Sequence, residues 1–226
     1  MRKVNCLPLS KSLRELVGDS SNIGLAVAVF LAGLVLFFKL DADPGDLGDA
    51  RFNMYVLEHG HRWLMRLDQS FWSAPFFYPA QNVIAYSDNH LGSFLFYSLF
   101  RILGASRETA FQLWAITIFS LNYFVTYAVV RRQKFSPFGA ITCAYLFTFS
   151  MIMAAQIGHI QLAPRFMVPV AFWTTARFLE TGKANELHML LAACACQVYL
   201  GIYIGYFLVL SLIPFFVLMI LLRKQQ

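Results

Sequence analysis

Long apolar runs separated by short charged junctions set the pattern of this chain. They cover residues 22–40, 91–103, 109–130, 137–157, 163–179 and 187–222. The first is long enough as a helix to cross a hydrocarbon core of about 30 Å at ~1.5 Å per residue. Gly24, Ala28 and Ala32 recur four apart within it, a small-residue stripe along which another helix can approach closely. The last run is about 36 residues, or ~54 Å of helix, too long for one crossing. It predicts two helices turning near 199–206, where Gly201 and Gly205 loosen the backbone, with Pro214 kinking the second. The run 91–103 is short and carries Arg101, so it predicts a helix lying along the membrane surface.

Charge orders these elements. Basic residues gather at the N-terminus (Arg2, Lys3, Lys11, Arg14), at Arg131, Arg132 and Lys134, at the 180–183 turn, and at Arg223 and Lys224. Placing all of them in the cytoplasm puts the acidic stretch between the first two spans outside. The expected architecture is an all-α polytopic membrane protein with about six transmembrane helices and outer-face juxtamembrane helices. Residues 1–21 form a cytoplasmic N-terminus, 22–40 the first span, 41–108 an outer loop, 109–222 a five-helix bundle and 223–226 a cytoplasmic tail. The first span follows a polar start and no small-residue cleavage site follows it, so it is expected to stay in place.

Composition agrees. The chain is 58% hydrophobic and 13% charged, against about 25% charged in soluble domains. A net charge of +6 divided among short junctions marks membrane topology, not a nucleic-acid-binding face. Cys6, Cys143, Cys194 and Cys196 form no CxxC pair, and three of them sit in apolar runs as small hydrophobes.

Chemistry is concentrated in 41–92. Asp41, Asp43, Asp46, Asp49, Glu58, Asp68 and Asp88 all lie there, although a charge inside the bilayer costs a few kcal/mol. Asp46 and Asp49 share one face of a helix at their i, i+3 spacing. Two readings stand side by side: caps that solubilise a surface helix, or a general base beside lipid headgroups, with a divalent cation shared between carboxylates. The polar knot Ser87, Asp88, Asn89, His90 reads equally as phosphate or metal ligation and as helix capping. Trp63, Phe71, Trp72, Phe76, Phe77 and Tyr78 form an aromatic belt suited to the interface or to stacking on a sugar. Glu58, His59 and His61 flank the surface helix, and HGH alone is too short for a zinc motif. His159 and Gln161, with Arg165 nearby, occupy a short outer loop that the topology turns toward the acidic stretch. Gln197 is expected to hydrogen-bond between helices.

In order, GDLGDARFNMYVLEH, FFYPAQNVIAYSDNHLG and GHIQLAPRF resemble the first outer loop, the hinge before the second surface helix, and the second outer loop of bacterial membrane glycosyltransferases of the GT-C class. The resemblance runs from about residue 22 to 215. It implies an enzyme of the bacterial inner membrane with its active face outward, transferring a sugar from a polyprenyl-phosphate carrier to an acceptor with inversion. Asp49 matches the family's catalytic base, with Asp46 beside it. Arg51, Asp88, His90, His159, Gln161 and Arg165 are the expected substrate- and phosphate-binding residues, with a divalent metal ion on Asp49 and Asp88 as the other way to balance phosphate charge. Family members carry more membrane helices and often a C-terminal outer domain, so a separate chain is expected to supply that part. The rival expectation is a non-catalytic subunit of an envelope-assembly complex, or a transporter. Transporters place ionisable groups at the bilayer midplane, whereas here they gather in the outer loop.

Overall fold

A computed structural model describes residues 20–37, 48–86, 88–150 and 157–224, and all regular structure among them is helical. Among the described residues eight α-helices follow one another: α1 (Ser20–Phe37), α2 (Asp49–Leu64), α3 (Phe94–Ile102), α4 (Arg107–Arg132), α5 (Pro137–Thr148), α6 (Met167–Thr181), α7 (Ala184–Leu200) and α8 (Ile202–Lys224). Short 3-10 turns occupy Val83–Tyr86 and Ile157–Leu162.

Local chemistry sets the boundaries. Ser106 caps α4 by accepting the Thr109 N–H at 3.1 Å, and Ser136 caps α5 by accepting that of Gly139 at 3.1 Å. Each hydroxyl satisfies one of the amides that a helix start leaves without a carbonyl. Pro137 supplies a first residue that has no amide hydrogen to lose. Arg131 and Arg132 close α4, favourably placed against the helix dipole.

The core has two parts. In the larger, Phe30 and Phe37 of α1 meet Tyr123 and Phe119 of α4 at centroid distances of 5.3 and 5.2 Å, and Phe149 closes the cluster beneath α5. A smaller cluster centred on Ala171, Ala193 and Leu208 joins α6, α7 and α8.

An ionic network centred on the buried Glu58 fastens α2 to α3 and the start of α4. Glu58 of α2, only 8% exposed, accepts the Tyr97 hydroxyl at 2.8 Å and the Arg101 Nε–H at 2.9 Å, both from α3. Arg107, the first residue of α4, approaches its other oxygen at 3.3 Å. Burial works against the Glu58 carboxylate, but the hydrogen bonds from Arg101 and Tyr97 outweigh it and hold the group below its ordinary range. From the sequence alone Glu58 reads as the flank of a surface helix; here it is the acceptor that joins three helices.

Several expectations change here. The run 187–222 does divide into two helices, α7 and α8, at Gly201, whose backbone is extended there (φ −172°). The run 91–103 is the nine-residue α3, too short to cross a bilayer. In the described part of the run 137–157, α5 covers 12 residues, and the Arg165 guanidinium takes up the carbonyls of Phe147 and Thr148 where it stops. The stripe Gly24, Ala28, Ala32 faces away from the bundle, while Ala26, Phe30 and Gly33 pack inward. Among the described residues two helices are long and apolar enough to span a membrane, α4 over its full length and α8 over Ile202–Leu222. Residues 1–19, 38–47, 87, 151–156 and 225–226 lie outside the described part, Asp41, Asp43, Asp46 and Ser87 among them.

A close backbone approach occurs at Gly92, whose N–H donates to the Tyr199 carbonyl at 2.7 Å. A Cβ at Gly92 would lie 2.8 Å from the Tyr199 carbonyl carbon, so the loop after Asp88 can meet the end of α7 only with glycine here. Gly92→Ala is expected to cost roughly 1–3 kcal/mol through overpacking, read as a lower thermal midpoint in detergent. Gly24→Ala, with nothing within 4 Å, should not lower it.

Candidate functional site

Asp49 opens α2, so its position is fixed by the first turn of that helix. Its Oδ2 lies 2.5 Å from Nδ1 of His159, and both side chains are half exposed, at 49% and 52%. His159 interrupts the second 3-10 turn (φ −90°, ψ 54°). Two stretches far apart in sequence thus present an acid and an imidazole together at one accessible point.

Behind the pair lies Asn53, one turn further along α2 and 3% exposed. Its Nδ2 donates to the Asp49 carbonyl at 2.7 Å and to Gln161 Oε1 at 2.8 Å. A backbone carbonyl can only accept, so the orientation of the carboxamide is fixed and its Oδ1 faces His90. His90 Nε2 lies 2.8 Å from that oxygen and must carry the hydrogen. Its Nδ1 is then the acceptor facing the Ser93 hydroxyl at 3.4 Å. Burial pushes the His90 imidazole down to about 4, and its ring edge packs on Trp114 at 5.3 Å. A neutral ring that is 1% exposed serves as a strut under the Asp49 turn, with no face left for a phosphate.

The other expected residues divide by task. Asp88 Oδ1 accepts the Ile202 N–H at 2.9 Å and so caps α8. Burial raises its carboxyl, and the backbone N–H groups of Ile202 and Tyr203 act against that rise. Its capping role is one of the two readings left open from sequence, but the helix it caps lies 114 residues away. Gln161 is held by Asn53. Arg165 donates to the end of α5, stacks over the Phe147 ring at 5.0 Å, and gives its backbone N–H to Asn122 Oδ1 at 3.2 Å. Asn122 also donates to the Ala163 carbonyl at 2.8 Å, and Gln197 donates to that of Pro164 at 2.7 Å. Residues 163–165 are therefore pinned by α4 and α7, which fixes where His159 and Gln161 emerge. Arg51 is exposed and makes no hydrogen bond or ion pair among the described residues. Two residues from Asp49 on a helix, it points to the other side. Asp46 lies outside the described part. Among the described residues no three His, Cys, Asp or Glu side chains gather as metal ligands.

Sequence reasoning passed over Asn53. The signal was there: Ala50, Asn53, Leu57 and Gly60 follow the i, i+3, i+4 spacing of a buried face, and a carboxamide on such a face needs partners. No family model matches this chain, and neither a curated protein nor a solved structure matches it.

The buried neutral His90 gives stability a definite pH dependence. In the unfolded chain an imidazole binds its proton near pH 6.5, but the folded one resists until about 4. Its contribution is fully present above 6.5 and drains away as pH falls toward 4. The loss by then should be about 3 kcal/mol. Denaturant titrations of wild type and His90→Asn between pH 7 and 4 should show the wild type losing that much more than the variant.

Proposed function

We propose that this protein is a membrane glycosyltransferase that moves a sugar from a polyprenyl-phosphate carrier to an acceptor hydroxyl at the outer face, with inversion and with its base centred on Asp49. The observation that supports the reading is the meeting of Asp49 with His159. The stretches that resemble the first and second outer loops of the GT-C class are separated by three helices, α3 to α5, yet close on each other at an exposed carboxylate and imidazole. Glycosyl transfer needs a group to take the acceptor proton as oxygen attacks the anomeric carbon. It also needs that group rigid, since misplacement by about 1 Å costs rate on the order of a hundredfold. The Asn53 anchorage supplies the rigidity. Of the cations expected to meet the phosphate, His90 and Arg165 are engaged in the fold, and Arg51 is exposed on the side of α2 away from Asp49. The lipid carrier fits a chain whose α4 and α8 pass the length and apolarity test for crossing a bilayer. In this reading six crossings set both termini in the cytoplasm of a bacterial inner membrane.

The decisive experiment is transfer by purified protein supplied with lipid-linked sugars. Asp49→Asn should cut turnover by about a hundredfold or more while moving the unfolding free energy by less than about 0.5 kcal/mol, since the side chain is half exposed. Full activity in that variant would favour the non-catalytic subunit. Topology has its own check: a cysteine at Gln133 should react with impermeant reagents only after the cells are opened. Labelling from outside in intact cells would overturn the six-crossing scheme.

A further inference from the structure

We infer that Asp49 and His159 divide the base between them: His159 Nε2 takes the acceptor's proton, and Asp49 orients the ring. The inference rests on the glycosyl-transfer reading and reassigns His159 within it. Sequence order had placed His159 among the residues that meet the leaving phosphate. Inversion forbids that, because attacking and leaving groups occupy opposite faces of the anomeric carbon. Inverting glycosidases keep their two catalytic groups about 6.5–9.5 Å apart to leave room for the attacking oxygen and the sugar. A ring nitrogen 2.5 Å from Asp49 therefore stands on the same side as the base.

Within the pair the ring geometry decides the labour. Nδ1 faces the carboxylate, so in the neutral ring Nδ1 carries the hydrogen and donates it to Asp49 Oδ2. The lone pair is then on Nε2, on a side chain that is 52% exposed and makes no other hydrogen bond among the described residues. An imidazole held by a carboxylate on one nitrogen and open on the other has the arrangement that makes histidine a proton acceptor in serine hydrolases. In the transfer step the acceptor oxygen bonds to the anomeric carbon as its proton passes to Nε2. The bond from that carbon to the phosphate oxygen breaks, and its electron pair leaves with the polyprenyl phosphate. The imidazolium so formed is stabilised by the Asp49 carboxylate and returns its proton to water. Asp49 is thus a positioning residue. Gln161 assists indirectly: held by Asn53 two residues beyond His159, it fixes the turn that carries the ring.

The tautomer of His159 tests this without any substrate. In the ¹⁵N-histidine spectrum of the full chain in nanodiscs, the resonance identified by its loss in His159→Asn should show the neutral ring with hydrogen on Nδ1. Asp49→Ala should return it to the Nε2–H form. Turnover of undecaprenyl-phosphate-linked hexoses, with envelope glycans as acceptors, should fall about a hundredfold or more in His159→Asn. A wild-type ring with hydrogen on Nε2 overturns the inference. So does full turnover in His159→Asn alongside loss in Asp49→Asn, an outcome that leaves the transferase reading standing. The expected tautomer in a wild type that transfers none of these hexoses overturns the transferase reading itself, and the role of His159 with it.

Discussion

One buried carboxamide ties the accessible chemistry of this protein to its frame. Asn53 lies on the inner face of α2, and its three polar contacts reach the Asp49 backbone, Gln161 and His90. An amide placed there without partners would cost about 1–3 kcal/mol. With them it registers the first turn of α2 against two loops that come from distant parts of the chain. Because Nδ2 meets a backbone carbonyl, the orientation of the amide is fixed, and so in turn is the tautomer of His90. The position of Asp49 relative to His159 follows from that chain of choices.

A second layer of polar contacts holds the loops themselves. Asn122 and Gln197 grip the carbonyls of Ala163 and Pro164, and Arg165 spends its guanidinium on the end of α5. Glu58 fastens α3 and the start of α4 to α2. These groups are buried, and removing one partner would strand a charge or dipole in a low-dielectric setting, a larger penalty than the contact's net worth. Polar side chains that sequence reading sorts as binding residues are thus used here as joints. The accessible pair is small by comparison: one carboxylate and one imidazole.

Helix positions were legible wherever one residue type dominates the local physics. Apolar periodicity placed α1, α3, α4 and the pair α7 and α8, and Gly201 marked the break in the longest run. Asp49 and His159 could be nominated from their order along the chain. What sequence could not carry was long-range pairing. Nothing in 137–157 announces that a guanidinium from residue 165 closes the helix at Thr148. Nothing near Asp88 says that its carboxylate caps a helix starting at Ile202. The stripe Gly24, Ala28, Ala32 suggested a packing face, but the aromatic rings of Phe30, Phe37 and Phe149 favoured the other side of α1. Burial decides such cases, and burial is a property of the assembled chain.

The way α8 is attached has a mechanical consequence. Beyond its start, where Gly205 meets Val198 and Leu208 joins the small core cluster, few residues of α8 are buried among the described residues, so its far end is held by few neighbours. Where a helix of this kind crosses a bilayer, it adjusts its angle to the thickness of the hydrocarbon, at a cost of fractions of a kcal/mol per Å. Its first amide is bonded to Asp88, two residues from the His90 that props the Asp49 turn. Any change in the tilt of α8 therefore pulls on the same short tether, from Asp88 to His90, that holds the Asp49 turn.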